Sequence, residues 1–569
     1  MAKVSGVPPK IKELADILVQ NRLMDRDQVD SAIQLHKKTG TPFRQVVIDS
    51  GYISSEDLAM ATSIQLNVPL IDLTTHKIPE DTLKLVPEKM ARERKMVPLD
   101  VVGDALVLVM ADPDDTEGIE LVSNHTNMKI MPAMAIPEQV QRTLDLNYTS
   151  TDMIEEELKR VITTTFREEL KYQVAKEQKV VRESPIVRLI DLVVGEGIRR
   201  RASDIHFQPQ KDGIRIRFRI DGVLHDAMSL PIETHQQLVS RIKVMAGMDI
   251  TERRHAQDGQ MDFTVAERSL DIRVATYNTL DGELVVLRIL DKTLPLFQLS
   301  DLGFLPETLE KYQRMMAAPY GMILVAGPTG SGKTTTLYAS LNQMDRDEKH
   351  IMTIEDPVEY RFAKIGASEI NPKAGITFAS CLKGVLRVDP DIVLVGEIRD
   401  EDTAQIAIQA SLTGHLVLAS VHANDVVSTL FRMTNLGVDR FLLASALIGV
   451  ISQRMVRCVC PHCHRPCEPK AEERIVYSEE MGEELDKFNC GYGCNFCSDT
   501  GYLGRTGLFE LFIMTEEIKR LVVEGGDSTA IRDKSLEEGM MTMRHDGMIK
   551  VKQGITTPSE VLRTVYTVL

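Results

Sequence analysis

The stretch MILVAGPTGSGKTTT, residues 322–336, constrains this 569-residue chain more than any other segment. It begins with an apolar run of strand length and passes through a glycine-rich loop into a run that suits a helix. The spacing G-x-x-x-x-G-K-[ST] is satisfied by Gly327, Gly332, Lys333 and Thr334. Glycines let backbone N–H groups turn inward around an anion, and the following helix presents its positive end to that anion. The stretch therefore predicts a binding site for a nucleoside triphosphate.

Two side chains of this loop have predicted chemical roles. The ammonium group of Lys333 can reach the β- and γ-phosphates, and the hydroxyl of Thr334 can ligate Mg²⁺. A nucleoside triphosphate and Mg²⁺ are therefore the expected substrate and cofactor, and the family resemblance described below implies that the nucleotide is ATP. The residues predicted to contact the nucleotide are Gly327, Pro328, Thr329, Gly330, Ser331, Gly332, Lys333, Thr334 and Thr335.

Acidic and imidazole side chains stand at the ends of further predicted strands. They are Glu355, Asp356 and Glu359, then Glu397 after an apolar strand at 392–395, then His422 after a strand at 415–421. In P-loop proteins an acidic residue at such a strand end holds Mg²⁺ through water or polarises the attacking water. Strands that alternate with helices and end in such groups predict a largely parallel α/β sheet with its site at that edge.

Charge and hydropathy exclude several classes of protein. The formal net charge of -16 argues against nucleic acid as a partner, because binding to phosphate backbones needs a basic surface. The first residues lack the apolar core of a signal peptide, and the longest apolar run, 441–451, is about half of the ~20 residues that span a bilayer. A cytoplasmic location is predicted.

All but one of the 8 cysteines lie in a single short segment, 458–497. Two C-x-x-C pairs, Cys460 with Cys463 and Cys494 with Cys497, have the spacing of a structural zinc site with four thiolate ligands. In a reducing compartment such a cluster indicates metal ligation rather than disulfides. The ligand set stays open at this point, since other candidate ligands crowd the same stretch: Cys458, Cys467, Cys490, His462 and His464.

The length predicts about three or four domains. The first is helical and contains a weak repeat, in which Asp25 and Ser54 are placed to begin the second helix of each hairpin. The second is predicted from a strand hairpin at Gly103-Asp104. The expected segments are a helical repeat domain at 1–65, a small α+β domain at 66–150, a charged helical linker at 151–183, an arginine-bearing α+β domain at 184–295, and a P-loop ATPase domain at 296–569 with a zinc-binding insert at 458–500.

The sequence IRIRFRI, residues 214–220, alternates strictly up to the turn pair Asp221-Gly222. Period two puts Arg215, Arg217 and Arg219 on one face of a strand. Two interpretations stay open, a solvent-facing sheet surface or a row of guanidinium groups for an anionic ligand, and the nearby P-loop favours the second. Further candidates in the domain before the P-loop are Arg254, Arg273 and Arg288. Within the P-loop domain the candidates are Arg387 and Arg399, and Arg399 is expected to pair with Asp400 or Asp402.

Taken together, these motifs resemble the type II/IV secretion ATPase superfamily, and within it most closely the ATPases that extend type IV pili. The resemblance covers nearly the whole chain from about residue 70. Its further motifs are ASDIHFQP (202–209), RIDG (219–222), ERRHAQDG (252–259), TIEDPVE (353–359), VGEIRD (395–400) and GHLVLASVHAND (414–425). It implies a RecA-like P-loop domain, preceded by a PAS-like α+β domain and an N-terminal regulatory region.

The resemblance also implies roles for particular residues. Glu359 and Glu397 would serve water activation and metal positioning, and His422 would sense the γ-phosphate. Arg217 and Arg219 would reach a neighbouring subunit's nucleotide, which implies a ring, usually a homohexamer. The motor would act at the cytoplasmic face of the inner membrane on a membrane-embedded platform protein.

Several alternatives remain open. A type II secretion ATPase is similar, whereas retraction ATPases lack the long N-terminal extension and the four-cysteine insert. Related N-terminal domains bind cyclic di-GMP through paired R-L-G-type repeats, but the matching places here read ELAD (13–16) and PFRQ (42–45), so the resemblance leaves that ligand open. A nucleic-acid motor and a nucleotide-switched scaffold are the alternatives from other classes. The acidic charge argues against the first, and Glu359 and Glu397 argue against the second.

Overall fold

The computed structural model describes residues 9–21, 23–73, 76, 78–148, 185–265, 268–290 and 297–565. The chain divides into two compact units. The first comprises Met1–Arg201 with Cys460–Cys463 and Tyr492–Gly501, and the second comprises Ala202–Val459, His464–Gly491 and Tyr502–Leu569. The predicted linker at 151–183 lies outside the described residues.

Four helices open the first unit. They are α1 (Pro9–Gln20), α2 (Arg26–Thr39), α3 (Phe43–Asp49) and α4 (Ser55–Leu66). Both predicted caps are confirmed: Asp25 is the N-cap of α2, and the Ser54 hydroxyl accepts a hydrogen bond of 3.1 Å from the Asp57 N–H at the start of α4. Apolar side chains from all four helices, among them Leu18 and Val47, form one core.

A small α+β region follows in the same unit. Its elements are α5 (Glu80–Leu83), α6 (Glu88–Arg94), β1 (Met96–Val102), β2 (Ala105–Met110), α7 (Thr116–Thr126), β3 (Lys129–Met134) and α8 (Pro137–Asn147), and α9 (Pro185–Arg199) comes after them. Strand β2 lies between β1, which is antiparallel to it, and β3, which is parallel. The predicted hairpin turn at Gly103-Asp104 is confirmed, with Gly103 at a φ of 62°.

The second unit begins with a six-stranded antiparallel sheet. Its elements are β4 (Ala202–Gln210), β5 (Gly213–Ile220), β6 (Val223–Leu230), α10 (His235–Met245), β7 (Gln257–Val265), β8 (Arg268–Thr279) and β9 (Gly282–Leu290), in the strand order β6-β5-β4-β9-β8-β7. Residues 214–220 form a strand as predicted, and the apolar members of the alternation, such as Ile216 and Phe218, are buried. The arginines therefore lie on the opposite face of that strand.

The P-loop sheet has seven strands in the order β12-β11-β13-β14-β10-β15-β18. In chain order, the elements of this domain as far as β15 are α11 (Pro306–Met316), β10 (Gly321–Ala326), α12 (Lys333–Gln343), β11 (Ile351–Glu355), β12 (Ile365–Glu369), α13 (Phe378–Val385), β13 (Ile392–Val395), α14 (Glu401–Leu412), β14 (Leu416–Val421), α15 (Val426–Asn435), α16 (Arg440–Ala446) and β15 (Leu447–Val459). The strands through β15 are parallel, whereas β18 is antiparallel to β15. The predicted parallel α/β sheet is confirmed.

The rest of the chain completes this domain. Its elements are β16 (His464–Cys467), α17 (Ala471–Met481), β17 (Phe488–Gly491), β18 (Tyr502–Ile513), α18 (Glu516–Glu524), α19 (Ser528–Glu537), α20 (Met543–Lys552) and α21 (Pro558–Thr564).

Strand β10 shows how the P-loop sheet is buried. Met322 and Leu324 join one apolar core, and Ile323 and Val325 join the core on the other face. A strand covered on both faces needs such a continuous apolar run, and it delivers the P-loop from the centre of a rigid layer. Among the described helices, none combines the length and apolarity needed to cross a bilayer.

Candidate nucleotide site and cysteine cluster

The loop after β10 forms a tightly packed cradle. Gly327 has a φ of 152°, and a Cβ atom there would lie 2.6 Å from the Gln453 carbonyl oxygen. The buried Gln453 side chain donates to the Ser331 carbonyl at 2.6 Å and accepts from the Thr336 hydroxyl at 2.7 Å. The Ser331 hydroxyl is buried and finds no hydrogen-bond partner within the described part of the chain. A glycine-lined cradle with a spare buried hydroxyl fits an anionic ligand.

Lys333 is the first residue of α12 and is 9% exposed. Its ammonium group donates to the carbonyl oxygens of Gly327 and Pro328, at 2.9 and 3.0 Å. Burial lowers the pKa of Lys333, and the Glu397 carboxylate opposes that shift. The lysine is thus held inside the loop that is predicted to bind phosphate.

Glu397 and His422 meet because β13 and β14 are adjacent and parallel. The Nε2 atom of His422 lies 3.4 Å from the Glu397 carboxylate, whose side chain is 12% exposed. Burial and the nearby Lys333 lower the pKa of His422, against the opposing effect of Glu397. A lowered pKa favours neutral imidazole, which can both accept and donate a proton.

Glu355 and Glu359 are predicted together from the same segment, but the structure gives them different surroundings. Glu355 ends β11, is 4% exposed, and accepts hydrogen bonds from Thr353 and Tyr338. Glu359 is partly exposed, and its carboxylate lies 3.3 Å from the Arg273 guanidinium. Burial raises the pKa of Glu355. Glu359 is therefore the carboxylate of this segment that reaches the neighbouring six-stranded sheet.

Some of the predicted arginines bond within the six-stranded sheet, and others reach carboxylates of the candidate site. Arg217 donates to Gln208 at 2.7 Å, and Arg219 donates to the Gly222 carbonyl at 3.0 Å, so both bond within their own sheet. Arg273 alone among the predicted arginines is ion-paired with Glu359 in the described residues. The expectation that Arg399 pairs with Asp400 or Asp402 is wrong, because its guanidinium lies 2.6 Å from Glu397. Asp400 instead caps α14 by accepting from the Thr403 N–H.

The four predicted zinc ligands come together. The sulfur atoms of Cys460, Cys463, Cys494 and Cys497 all lie within 4.8 Å of one another. Three of the pairs are 3.7 to 3.9 Å apart. Tetrahedral zinc with Zn–S bonds of about 2.3 Å requires S···S separations of about 3.8 Å. The donor set and its spacing therefore fit a closed tetrahedral zinc site.

The other cysteines of this segment have different roles. Cys467 and Cys490 form a disulfide across the β16–β17 ribbon, with Cα atoms 5.9 Å apart, so the expectation of metal ligation rather than disulfides is wrong for this pair. The two cysteines lie on neighbouring antiparallel strands. Their spacing in the sequence could not reveal that they are close in space. Cys458 is free and lies in β15.

The cysteine cluster lies in the first unit, although it is inserted in the chain between β15 and β18. The Arg142 guanidinium of α8 lies 4.5 Å from the centre of the Phe496 ring and donates to the Phe496 carbonyl at 3.3 Å. On the same ring, His462 packs with a centroid distance of 4.3 Å. His462 thus packs as a ring, outside the set of four ligands. This packing explains why Cys460–Cys463 and Tyr492–Gly501 group with the N-terminal region, whereas His464–Gly491 of the same expected insert groups with the ATPase domain.

The sequence matches two described families. Residues 179–563 match "Type II/IV secretion system protein", and residues 66–153 match "MshEN domain". The first match covers more than half of the chain and includes every residue of the candidate nucleotide site.

Several curated proteins are similar over most of the chain. The "Type IV pilus assembly ATPase PilB" of Myxococcus xanthus is 34% identical over 556 residues, which is 96% of this chain and 98% of that protein. The protein of the same name from Thermus thermophilus is 36% identical, over 98% of this chain and 66% of that protein. The "Type II secretion system ATPase E" of Vibrio cholerae is 42% identical over 67% of this chain and 75% of that protein.

Among solved structures, the Legionella pneumophila ATPase DotB is similar with a TM-score of 0.50. It is 20% identical and covers 66% of this chain and 94% of its own. At this identity the likeness concerns the fold.

Proposed function

Since the chain belongs to the type II/IV secretion system protein family, we propose that its ATPase activity powers the assembly of type IV pili. The observation that carries the proposal is the meeting of the P-loop, Glu397 and His422 at one edge of a parallel sheet. Similarity to pilus assembly ATPases over nearly the full chain favours pilus extension over type II secretion, whose ATPase from Vibrio cholerae matches two thirds of the chain.

In the proposed reaction, Lys333 contacts the β- and γ-phosphates, and Thr334 would hold Mg²⁺, which would supply positive charge for the phosphates. Glu397 orients the attacking water, and His422 beside it senses the γ-phosphate. Glu359 supplies a second carboxylate for water activation or metal positioning. Phosphoryl transfer needs positioning and charge stabilisation more than covalent chemistry, and side chains fixed at strand ends provide both.

A cell-level experiment distinguishes pilus assembly from type II secretion. In a strain that lacks this gene, we expect surface pili to disappear while exported soluble proteins remain at parental levels. Loss of the exported proteins with intact pili would contradict the proposal in favour of type II secretion. A plasmid copy of the parental gene is the control and should restore the pili.

We further propose that the motor is a homohexamer in which arginines of 184–295 act on a neighbouring subunit's nucleotide. Arg217 and Arg219 lie together on the rigid strand β5, which suits contact with phosphate oxygens. Mixing subunits that carry Lys333→Ala with subunits that carry Arg217→Gln and Arg219→Gln should then restore ATP hydrolysis. The two inactive subunits would rebuild one complete site at their shared interface.

The matched control for this experiment is Arg215→Gln, which lies on the same strand and pairs with the exposed Asp226. It should keep the parental rate. Absence of recovery in mixed rings, with mixing shown by differently tagged subunits, would mean that Arg217 and Arg219 do not act between subunits. In that case Arg273, paired with Glu359, and Arg399, paired with Glu397, are the remaining candidate arginines, both acting within their own chain.

The cysteine cluster is proposed to bind one structural zinc ion per chain. Cys494→Ser should abolish zinc binding and increase amide hydrogen exchange in 460–463 and 492–501 more than in the P-loop, because structural zinc contributes folding energy locally. Elemental analysis and mass-spectrometric hydrogen exchange measure the two effects. Cys381→Ser, in α13 and outside the cluster, is the control and should keep the zinc. Parental protein that lacks zinc when purified without chelator would contradict the assignment.

Two partners are proposed from the family relationship. The motor would act on a platform protein at the cytoplasmic face of the inner membrane, and residues 1–148 could be regulated by cyclic di-GMP, which the MshEN match supports. Arg44, in the stretch PFRQ, pairs with Asp112 at 2.8 Å and Asp114 at 3.2 Å. Equilibrium dialysis of the full chain with cyclic di-GMP tests this ligand, and no retention at micromolar concentration would exclude it.

A further inference from the structure

We propose that Tyr338 is a positioning residue for ATP hydrolysis, which fixes the backbone of Glu359 relative to the phosphate-binding loop. The inference rests on the proposed function, in which Glu359 serves water activation or metal positioning. Tyr338 lies one helical turn after Thr334 in α12, the helix that begins at Lys333. It therefore moves as one body with the end of the P-loop.

The Tyr338 hydroxyl joins two acidic residues at the end of β11. It donates a hydrogen bond to the Glu355 carboxylate and accepts one of 3.2 Å from the Glu359 backbone N–H. Tyr338 and Glu355 are each 4% exposed, so water cannot readily replace either bond. Burial raises the pKa of Tyr338, which keeps the hydroxyl protonated as a donor.

Glu355 is itself held in place. Its other carboxylate oxygen accepts a hydrogen bond of 2.8 Å from the Thr353 hydroxyl, and Thr353 is 2% exposed in β11. The hydroxyl of Tyr338 is thus fixed from the sheet side as well as from its own helix. A donor whose acceptor is rigid has one orientation, which leaves its lone pair directed at the Glu359 N–H.

The ring of Tyr338 supports the same segment from its edge. Tyr360 and Phe362 pack against it edge to face, with centroid distances of 5.8 and 5.3 Å. The backbone N–H of Glu359 is therefore anchored to α12, while its carboxylate lies 3.3 Å from Arg273. Glu359 can exchange its carboxylate partner while its backbone stays in place. A hydrolytic site needs a fixed backbone at Glu359, because a shift of about 1 Å in a reacting group can lower the rate by about a hundredfold.

The substitution Tyr338→Phe isolates the hydroxyl, since phenylalanine keeps the ring contacts. Tyr312→Phe is its matched control. Tyr312 is fully buried, and its hydroxyl bonds at 2.8 Å to Ser340 on the same helix α12. Both variants lose one buried hydroxyl next to the same helix, so both should lower the melting temperature, and Tyr338→Phe by more, because it leaves the buried Glu355 carboxylate without this donor. Of these two tyrosines, Tyr338 is the one whose hydroxyl bonds to the Glu359 backbone.

The experiment measures kcat and KM for ATP in the full-length parental chain, Tyr338→Phe, Glu359→Gln and the double variant. We expect Tyr338→Phe to lower kcat by about tenfold and to change KM by less than about twofold, because it displaces a group needed in the transition state. In the Glu359→Gln background the same substitution should have little further effect, because the hydroxyl acts through Glu359. Tyr312→Phe should keep the parental kcat.

Each other outcome has a defined consequence. A parental kcat in Tyr338→Phe overturns the inference, and so does an equal loss of rate in both backgrounds, which would indicate a general effect on the fold. A parental rate in Glu359→Gln alone would instead remove the role proposed for Glu359. If Tyr338→Phe does not fold, Glu355→Leu tests the same link, since it removes both oxygens that can accept from the Tyr338 hydroxyl, and a parental kcat there overturns the inference.

Discussion

Lys333→Ala should lower ATP turnover by at least about a hundredfold, the loss expected when a fixed cationic donor is removed from a transition state that carries negative charge. The ammonium group of Lys333 is held within 3.0 Å of two P-loop carbonyl oxygens, in a buried position between the loop and Glu397. Alanine removes the charge together with these two hydrogen bonds and keeps the glycines that shape the loop. Phosphate release at saturating ATP measures the effect.

The matched control for this prediction is Lys349→Ala, just before β11, where the exposed lysine lies 3.8 Å from Asp391. We expect its rate to equal that of the parental chain. Turnover by Lys333→Ala within about twofold of the parental rate would show that the P-loop lysine has no part in the chemistry.

Glu397→Gln should slow hydrolysis by about a hundredfold or more while the protein still binds ATP and Mg²⁺. Glutamine has the size of glutamate but lacks the charge that holds Arg399 at 2.6 Å and His422 at 3.4 Å. That charge is also what favours a proton leaving the attacking water. Filter retention of labelled ATP together with single-turnover hydrolysis separates binding from chemistry.

Glu401→Gln, on the exposed first turn of α14, is the control for Glu397→Gln and should hydrolyse ATP at the parental rate. Parental turnover by Glu397→Gln would mean that another carboxylate activates water, and Glu359 would then be the remaining candidate. Loss of ATP binding by Glu397→Gln would instead indicate that the carboxylate supports the fold of the site.

Much of the nucleotide site could be predicted from sequence because its residues belong to strand ends. The apolar runs before the P-loop, Glu397 and His422 each predict a buried strand, and neighbouring parallel strands bring their carboxyl ends to one edge. The pairing of Glu397 with His422 also requires β13 and β14 to be neighbours, which the structure shows. The cysteine cluster was predictable for a similar reason, because two C-x-x-C turns have a fixed local shape.

Contacts between distant side chains could not be predicted in this way. The ion pair of Arg273 with Glu359 depends on where two domains of one unit meet, and the strict alternation of 214–220 drew attention to Arg217 and Arg219 instead. The support of the P-loop by Gln453 depends on β15 lying beside β10. Tyr338 lies in a run that predicts a helix, and nothing in that pattern indicates that its hydroxyl bonds to the Glu359 backbone.

Local charge also misled the prediction for Arg399. Asp400 follows Arg399 directly in the sequence, but α14 begins at Glu401, so Asp400 serves as the helix cap. The guanidinium therefore turns back to Glu397. The disulfide between Cys467 and Cys490 is a comparable case, since it depends on the pairing of β16 with β17.

We propose that ATP hydrolysis by this chain, and not ATP binding alone, drives pilus assembly. The most direct measurement is the number of surface pili per cell in a strain whose only copy of the gene carries Glu397→Gln, with the protein present at the parental level. We predict that such cells have no pili although the protein retains bound ATP. Pili at the parental number in these cells would contradict the claim and identify the chain as a nucleotide-switched scaffold.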